Sequence, residues 1–328
     1  MPAEGRAYAG KSGAGEMTAY VVRRLWQLIP TLLGVVLLIF FLFNWVGGDP
    51  AQVLAGKISN QEQIDNIRKQ LGVDQPYWKQ LLIFCKQIVT GDFGRSWSTN
   101  EEVSHIFVTR IGPTLTIILP LQFLETVICI FLGLGVAYVR GSVLDRGVML
   151  ACTVAMSISF LVYIIVGQWL FGFLLGWFPV QGWSDSYWKN VVLYTPLPVF
   201  LALLVSIAPT LRLYRSFFLD EINQDYVRTA RAKGLPERTV MFKHVLRNAM
   251  IPILTNVAIA LPGLMIGTFL LEKFFSIPGL GREVITAVER SDFPVIKAIT
   301  IYLAVFTMLL NLTVDVMYKW VDPRVEFK

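Results

Sequence analysis

Gly5-x-x-x-x-Gly10-Lys11-Ser12 has the literal pattern of a phosphate-cradling loop. Such a loop works where it follows a hydrophobic strand and opens a helix, so that its N–H groups converge on phosphate. Four residues precede Gly5 and none builds a strand, so no nucleotide site is expected in this chain. His105 and His244 are the two histidines and stand far apart; Cys85, Cys129 and Cys152 are the three cysteines. Neither set has metal-ligand spacing or suggests a disulfide framework, so no metal and no bound cofactor are expected. Both histidines fall outside the apolar blocks, which leaves no Ser/His or paired-Asp constellation for intramembrane proteolysis. The polar groups inside apolar blocks are Gln122, Glu125, Asn311 and Asp315. Such groups are costly in lipid and so are candidates for solute contact or an ion relay. They serve equally to pair helices, the simpler reading for Glu125 and for Asp315, which sits near a block's end.

The elements that would position them are membrane helices. The chain has 328 residues, 55% of them hydrophobic and 16% charged, with a mean hydropathy of +0.57. A soluble domain is nearer about 45–50% apolar and about 25% charged. Six apolar blocks, 26–46, 112–139, 147–178, 191–211, 249–271 and 295–318, approach or exceed the roughly 20 residues a helix needs to cross a bilayer. The third reads as one long tilted helix followed by a partly buried return. None has the alternation of a barrel strand, so the expected fold class is an all-α integral membrane protein with six transmembrane helices.

Short loops rich in Lys and Arg stay in the cytoplasm. Arg23 and Arg24, Arg140 and Arg146, the cluster from Arg212 to Arg247, and Lys319, Arg324 and Lys328 alternate along the chain, which puts both termini on the cytoplasmic side. The net charge of +6 then reflects these loops rather than nucleic-acid binding. Residues 1–16, rich in Gly, Ala and Ser, read as a disordered N-terminal tail before a first transmembrane helix over 17–46. Residues 47–111 read as a small external helical domain. Ser59-x-x-Glu62 caps its first helix and Gly72 stops it; Pro76 opens a second, with Trp78, Leu81, Leu82, Cys85 and Val89 on its apolar side and Gly91 as its stop; Thr99-x-x-Glu102 caps a third. A transmembrane core fills 112–321 and a cytoplasmic tail 322–328. Trp97, Trp183 and Trp188 read as interface anchors, and Gly263-x-x-x-Gly267 as a close-packing site.

Residues 216–248 are too polar to span a membrane yet are periodic. Leu219, Ile222, Tyr226 and Ala230 form one apolar stripe, with Arg228, Arg231 and Lys233 off it. Gly234 stops that helix, and Pro236 and Glu237 open the next, which continues through Val240, Met241, His244 and Val245 into the fifth block. Two short helices joined at a glycine make a rigid cytoplasmic projection. Its pattern fits docking to a partner protein and fits lying on anionic headgroups equally well.

The segments Asp225-Tyr226-Val227-Arg228-Thr229-Ala230-Arg231-Ala232-Lys233-Gly234-Leu235-Pro236 and His244-x-Leu246-Arg247-Asn248-Ala249-x-x-Pro252 resemble the cytoplasmic coupling loop of ABC importer permeases. The resemblance is strongest to the B-type subunit of the oligopeptide, dipeptide and nickel branch. Where the general loop has Glu-Ala-Ala, three residues and Gly, this chain has Arg228, Thr229, Ala230 and Gly234. Gly91-Asp92-Phe93-Gly94-Arg95-Ser96, Ile277-Pro278-Gly279-Leu280-Gly281 and Asp322-Pro323-Arg324 continue the resemblance in order over 17–328. The resemblance implies an inner-membrane transport subunit without catalysis of its own. Tyr226, Arg228, Thr229, Ala230, Arg231, Ala232, Lys233 and Gly234 would couple to a cytosolic ATPase. Pro278, Gly279 and Gly281 would form an outward turn that meets a solute-binding protein. The implied partners are a homologous second permease, two ATPase subunits that bind the ATP and magnesium, the binding protein and membrane lipids. The implied solute is a peptide, with nickel chelates, opines and sugars as alternatives.

Overall fold

Helices make up the regular structure of the computed structural model, which describes residues 13–46, 51–52, 60–71 and 74–321. Five helical stretches are long and apolar enough to cross a membrane: Leu25–Asn44, Val103–Tyr138, Pro196–Ile222, Glu237–Leu264 and Phe293–Thr313. A sixth crossing is available if Val143–Ser157 and Phe160–Leu174, bent by 88° at their junction, count as one. The described α-helices of six or more residues are α1 (Gly13–Phe41), α2 (Gln61–Leu71), α3 (Tyr77–Thr90), α4 (Val103–Tyr138), α5 (Val143–Ser157), α6 (Phe160–Gly167), α7 (Pro196–Ile222), α8 (Asp225–Ala232), α9 (Leu246–Gly267), α10 (Phe269–Phe274), α11 (Leu280–Glu289) and α12 (Phe293–Val321). The chain forms two compact units, one of residues 1–86 and 300–328, the other of 87–299.

In the first unit α1 already runs through residues 13–16, the end of the expected tail; residues 1–12, Ser59, Gly72 and the Asp322-Pro323-Arg324 motif lie outside the described residues. Ring stacking of Phe40 on Phe84, at 6.5 Å between centroids, joins α1 to α3. The expected apolar side of α3 is corrected here: Trp78, Leu82 and Val89 are exposed and Phe84 is the buried residue. Pro76 precedes the helix, its carbonyl accepting from the Lys79 and Gln80 N–H groups, and Gly91 ends it at φ +68°.

The second unit is built on α4 and α7. Hydrophobicity does not drive helices together in lipid, so close packing and polar bonds must do so. A Cβ on Gly133 of α4 would lie 3.3 Å from Phe218 and 3.4 Å from Tyr214 of α7, and Tyr214 and Phe218 are fully buried. Higher along the pair, the Thr210 hydroxyl donates to Glu125 Oε1 at 2.6 Å. Glu125 therefore pairs two helices within the chain. Gln122 is buried and donates to Thr126, Asn311 is exposed, and the side chain of Asp315 lies outside the described residues. Gly263 is exposed with no atom within 4 Å of an added Cβ, so it packs against no helix among the described residues.

Two expectations change. The third capped helix is the beginning of α4: Val103 runs unbroken to Tyr138, its N–H bonded to the Gly94 carbonyl at 3.0 Å, while Thr99 Oγ1 accepts from Glu101 rather than capping. The third apolar block is not one tilted helix. Ile158 and Ser159 are extended (ψ 131° and 141°) and separate α5 from α6. The Thr153 and Ser157 hydroxyls bond back to the carbonyls of Met149 and Thr153, a pattern that bends helices. Beyond α6 the Gln168 amide donates to Val180 and Phe274 carbonyls and fastens the return segment to the end of α10.

Candidate functional site

The basic loop after α7 starts at a sharp corner. Asn223 donates to the Leu219 carbonyl at 2.9 Å, which satisfies the end of α7, and accepts from Arg140 at 3.0 Å. Gln224 is extended (φ −72°, ψ 151°), and Asp225 opens α8, where a carboxylate complements the helix N-terminus. The corner interrupts the expected stripe: Leu219 and Ile222 belong to α7, Tyr226 and Ala230 to α8.

The termination of α8 is a Schellman motif. The Leu235 N–H bonds to the Ala230 carbonyl at 3.4 Å and the Gly234 N–H to the Arg231 carbonyl at 2.9 Å. Gly234 has φ +77°, the left-handed conformation expected for it. Arg231 spans the turn, its Nε and Nη2 donating to the two Glu237 oxygens at 2.8 and 3.2 Å. Helical structure then runs from Glu237 through a wider-turned segment, Val240–Val245, into α9.

The burial pattern reverses one expectation. Ala230 is 5% exposed and Val227 is fully buried, packed with Val240, Met241 and Val245. The apolar side of α8 therefore seals the loop onto its own protein. The outward side carries Asp225, Arg228, Thr229, Arg231, Ala232 and Lys233. Tyr226 is half-buried; its hydroxyl donates to Glu221, and burial, followed by the carboxylate's influence, pushes its pKa up to about 12 while Asn248 opposes the shift. The phenol thus stays protonated and ties α8 to the last turn of α7. Nearby, Arg215 of α7 makes a two-pronged ion pair with Asp145 of α5, at 2.7 Å for both bonds, and Asp145 also accepts from the Gly141 N–H.

The turn at Pro278 lies at the other end of α4. Gly279 and Gly281 are buried and wrap the carboxylate of Glu272. Glu272 accepts from the Arg282 N–H at 2.9 Å and the Thr114 hydroxyl at 2.8 Å, and Thr114 in turn accepts from the Leu280 N–H at 2.8 Å. A carboxylate here complements the orphan donors of the α11 N-terminus. Burial nonetheless raises the Glu272 pKa above its ordinary value, with these hydrogen bonds opposing it. A Cβ on Gly279 would come within 2.4 Å of that carboxyl, and one on Gly281 within 2.6 Å of the Phe269 Cα. The two glycines are there for close approach; Pro278 is half-buried. Nearby, the carboxylate of Asp292 accepts from Ser96, the Trp97 and Ser98 N–H groups and the Ser98 hydroxyl. Trp97 packs edge-on against Phe293, and Trp183 is partly buried, so of the three expected anchors only Trp188 is widely exposed.

Sequence reasoning missed Glu272, Asp292, Asp145 and Glu221. Glu272 had a signal: an acidic residue at the end of an apolar block, followed by a Pro-Gly-Leu-Gly run able to close around it. No groups of three or more metal-ligating side chains occur among the described residues.

The family description "binding-protein-dependent transport system inner membrane component" matches residues 129–327, and the N-terminal part of the membrane component of such systems matches 17–118. The chain belongs to this family. It is 37% identical over 314 residues to the glutathione transport system permease protein GsiC of Salmonella typhimurium, covering 95% of this chain and 100% of the relative. It is 37% identical over 317 residues to GsiC of Escherichia coli O1:K1, with the same coverage. It is 30% identical over 334 residues to the dipeptide transport system permease protein DppB of Alkalihalophilus pseudofirmus, again over 95% and 100%. The family domain holds both the α8 loop and the Glu272 turn.

Proposed function

We propose that this chain is the permease subunit of an ATP-driven bacterial peptide importer and that α8 with its Schellman turn is its ATPase-coupling element. The relatives' names, glutathione and dipeptide permeases, favour a peptide solute. The observation that carries the coupling role is the construction of α8. Its apolar face is spent on its own protein, its ends are fixed by Asn223 and Gly234, and a charged face points outward. Such an element moves as a rigid body with α9, so a push on α8 tilts the attached span. The outward charges set register and orientation against an ATPase cleft, rather than supplying apolar contact area.

The α8 loop and the loop holding Arg140 and Arg146 lie in the cytoplasm by their basic content. With the bent pair counted as one crossing, six spans place both termini on that side and the Glu272 turn outside. Pro278 and the surface around it meet the solute-binding protein, with Gly279 and Gly281 shaping that turn from within. The complex adds a second permease and two ATPases that hold ATP and magnesium; this chain supplies half of the path and no catalytic group.

The test is reconstitution. The ATPases should co-purify with the native chain, and a peptide-loaded binding protein should stimulate ATP hydrolysis. Exchanging Arg228→Glu and Lys233→Glu together should leave membrane insertion intact and abolish both stimulation and uptake. Full uptake by that variant would remove α8 from the coupling role.

A further inference from the structure

The 88° break between α5 and α6 puts irregular backbone where a membrane helix should be continuous. The Asp145–Arg215 ion pair marks the polar end of α5, and Ile158 lies 13 residues beyond Asp145. At 1.5 Å per residue that is about 20 Å along the helix, past the middle of a hydrocarbon core about 30 Å thick. Neighbours on α7 bracket the break between Arg212, one turn from Arg215, and Leu201. Met156 receives a bond from Arg212 at 3.7 Å, and Gly167 lies against Leu201, so the break falls between those two levels of α7.

Backbone polarity is unmet there. Ile158 N–H bonds back to the Ala155 carbonyl, and the first bonds of α6 are those of Val162 and Tyr163 to the Ser159 carbonyl. Ser159 makes no side-chain cap, and the N–H groups of Ser159, Phe160 and Leu161 have no acceptor among the described residues. Ser157, Ile158 and Ser159 are all exposed on the chain's surface. Lipid does not tolerate such a segment; non-helical backbone at membrane depth persists only where protein buries it or water fills a cavity beside it.

The surroundings choose between those two. Thr153 and Ser157, one turn apart, are exposed on one face of α5, and the exposed Arg212 guanidinium stands at Met156 without a carboxylate partner among the described residues. A dry contact with a second subunit would strip the Arg212 cation and the free N–H groups of water with nothing to replace it. An aqueous cavity leaves them hydrated.

We infer that the Ser157–Ser159 break lines the solute path, and that its free N–H groups, the Ser159 hydroxyl and the Arg212 guanidinium receive the carbonyl and carboxylate oxygens of a passing peptide. Donors of this kind bind any peptide backbone and ignore side chains, which suits a path that leaves selection to a partner. The inference rests on the importer reading proposed above.

The experiment uses the complete complex in proteoliposomes, carrying S157C or S159C, with the native chain as the labelling baseline. A charged, membrane-impermeant methanethiosulfonate reagent should modify both cysteines, at rates at least tenfold different between the resting and the nucleotide-trapped states. Saturating peptide with binding protein should slow the modification. Co-purification of the ATPases checks assembly, and either variant alone suffices. Reaction only with a lipid-soluble maleimide, or cysteine cross-linking to the second permease without charged-reagent labelling, would overturn the inference. Peptide-stimulated ATP hydrolysis by the native complex is read in the same vesicles. If stimulation is intact while the cysteines stay unlabelled, this inference alone fails; if no peptide stimulates the native complex, the importer reading fails and takes this one with it.

Discussion

Replacing Gly234 isolates the contribution of one backbone conformation. Gly234 sits at φ +77°, and an added Cβ would meet no atom within 4 Å. The cost of a side chain is therefore conformational and not a clash. An L-residue in the left-handed region loses about 1–2 kcal/mol, and Asn less because it tolerates that region. A β-branched residue is a more severe outlier still. One to two kcal/mol shifts the population of a local closed state by a factor of about 5–30. The closed state here is the Schellman turn with its Arg231–Glu237 clamp. The order of damage should be Val, then Ala, then Asn. Two readouts separate turn opening from misfolding: trypsin cleavage after Arg231 and Lys233, and peptide-stimulated ATP hydrolysis by the assembled complex. Cleavage should rise and stimulation fall in that order while ATPase co-purification persists for Ala and Asn. Equal behaviour of the Val variant and the native chain in both assays would refute the account of the turn.

Ala230→Glu should place a charge among Val227, Val240 and Met241, a burial that costs several kcal/mol, and the variant should show lower yield and lower thermal stability in detergent before any effect on coupling. Asp292→Ala should leave Ser96, Trp97 and Ser98 donors unmet, at about 1–3 kcal/mol for each group that stays buried, read as faster hydrogen exchange across 94–100. For Glu272 burial raises the folded pKa, so between the unfolded and folded values the native state binds more protons and stability falls as pH rises; melting temperatures should decline over that window, and Glu272→Gln should flatten the profile. A reporter fused near Lys79 should read external and one near Arg238 cytoplasmic; both on one side would discard the topology.

Much of the fold was legible because its signals are local. Apolar length revealed the crossings, Gly234 revealed its turn through the αL requirement, and Pro76 and Gly91 bounded α3. The failures involve long-range partners. The stripe through Leu219, Ile222, Tyr226 and Ala230 fits helical spacing, yet Asn223 breaks it by bonding at once to Leu219 and to Arg140, 83 positions earlier. Which face of α8 turns inward depends on Val240, Met241 and Val245, and periodicity alone cannot tell a face sealed on its own protein from one offered to a partner. The break after Ser157 was hidden because Ile158 and its neighbours keep the hydropathy of a continuous span.

The Thr114–Glu272 bond joins residues 158 positions apart, and that separation is also a delay. At about 5–20 residues per second, roughly 8–30 s pass between the synthesis of one partner and the other. During that wait Thr114 is not stranded, since its hydroxyl also reaches the Arg110 carbonyl one turn back at 3.4 Å. The donors at the start of α11 have no such wait, because Glu272 is made a few residues before Leu280 and Arg282. The turn can therefore form around its own carboxylate as it emerges and dock on α4 as a finished piece, so a nascent permease whose chain has cleared the ribosome past Glu289 would already hold this end of α4 latched.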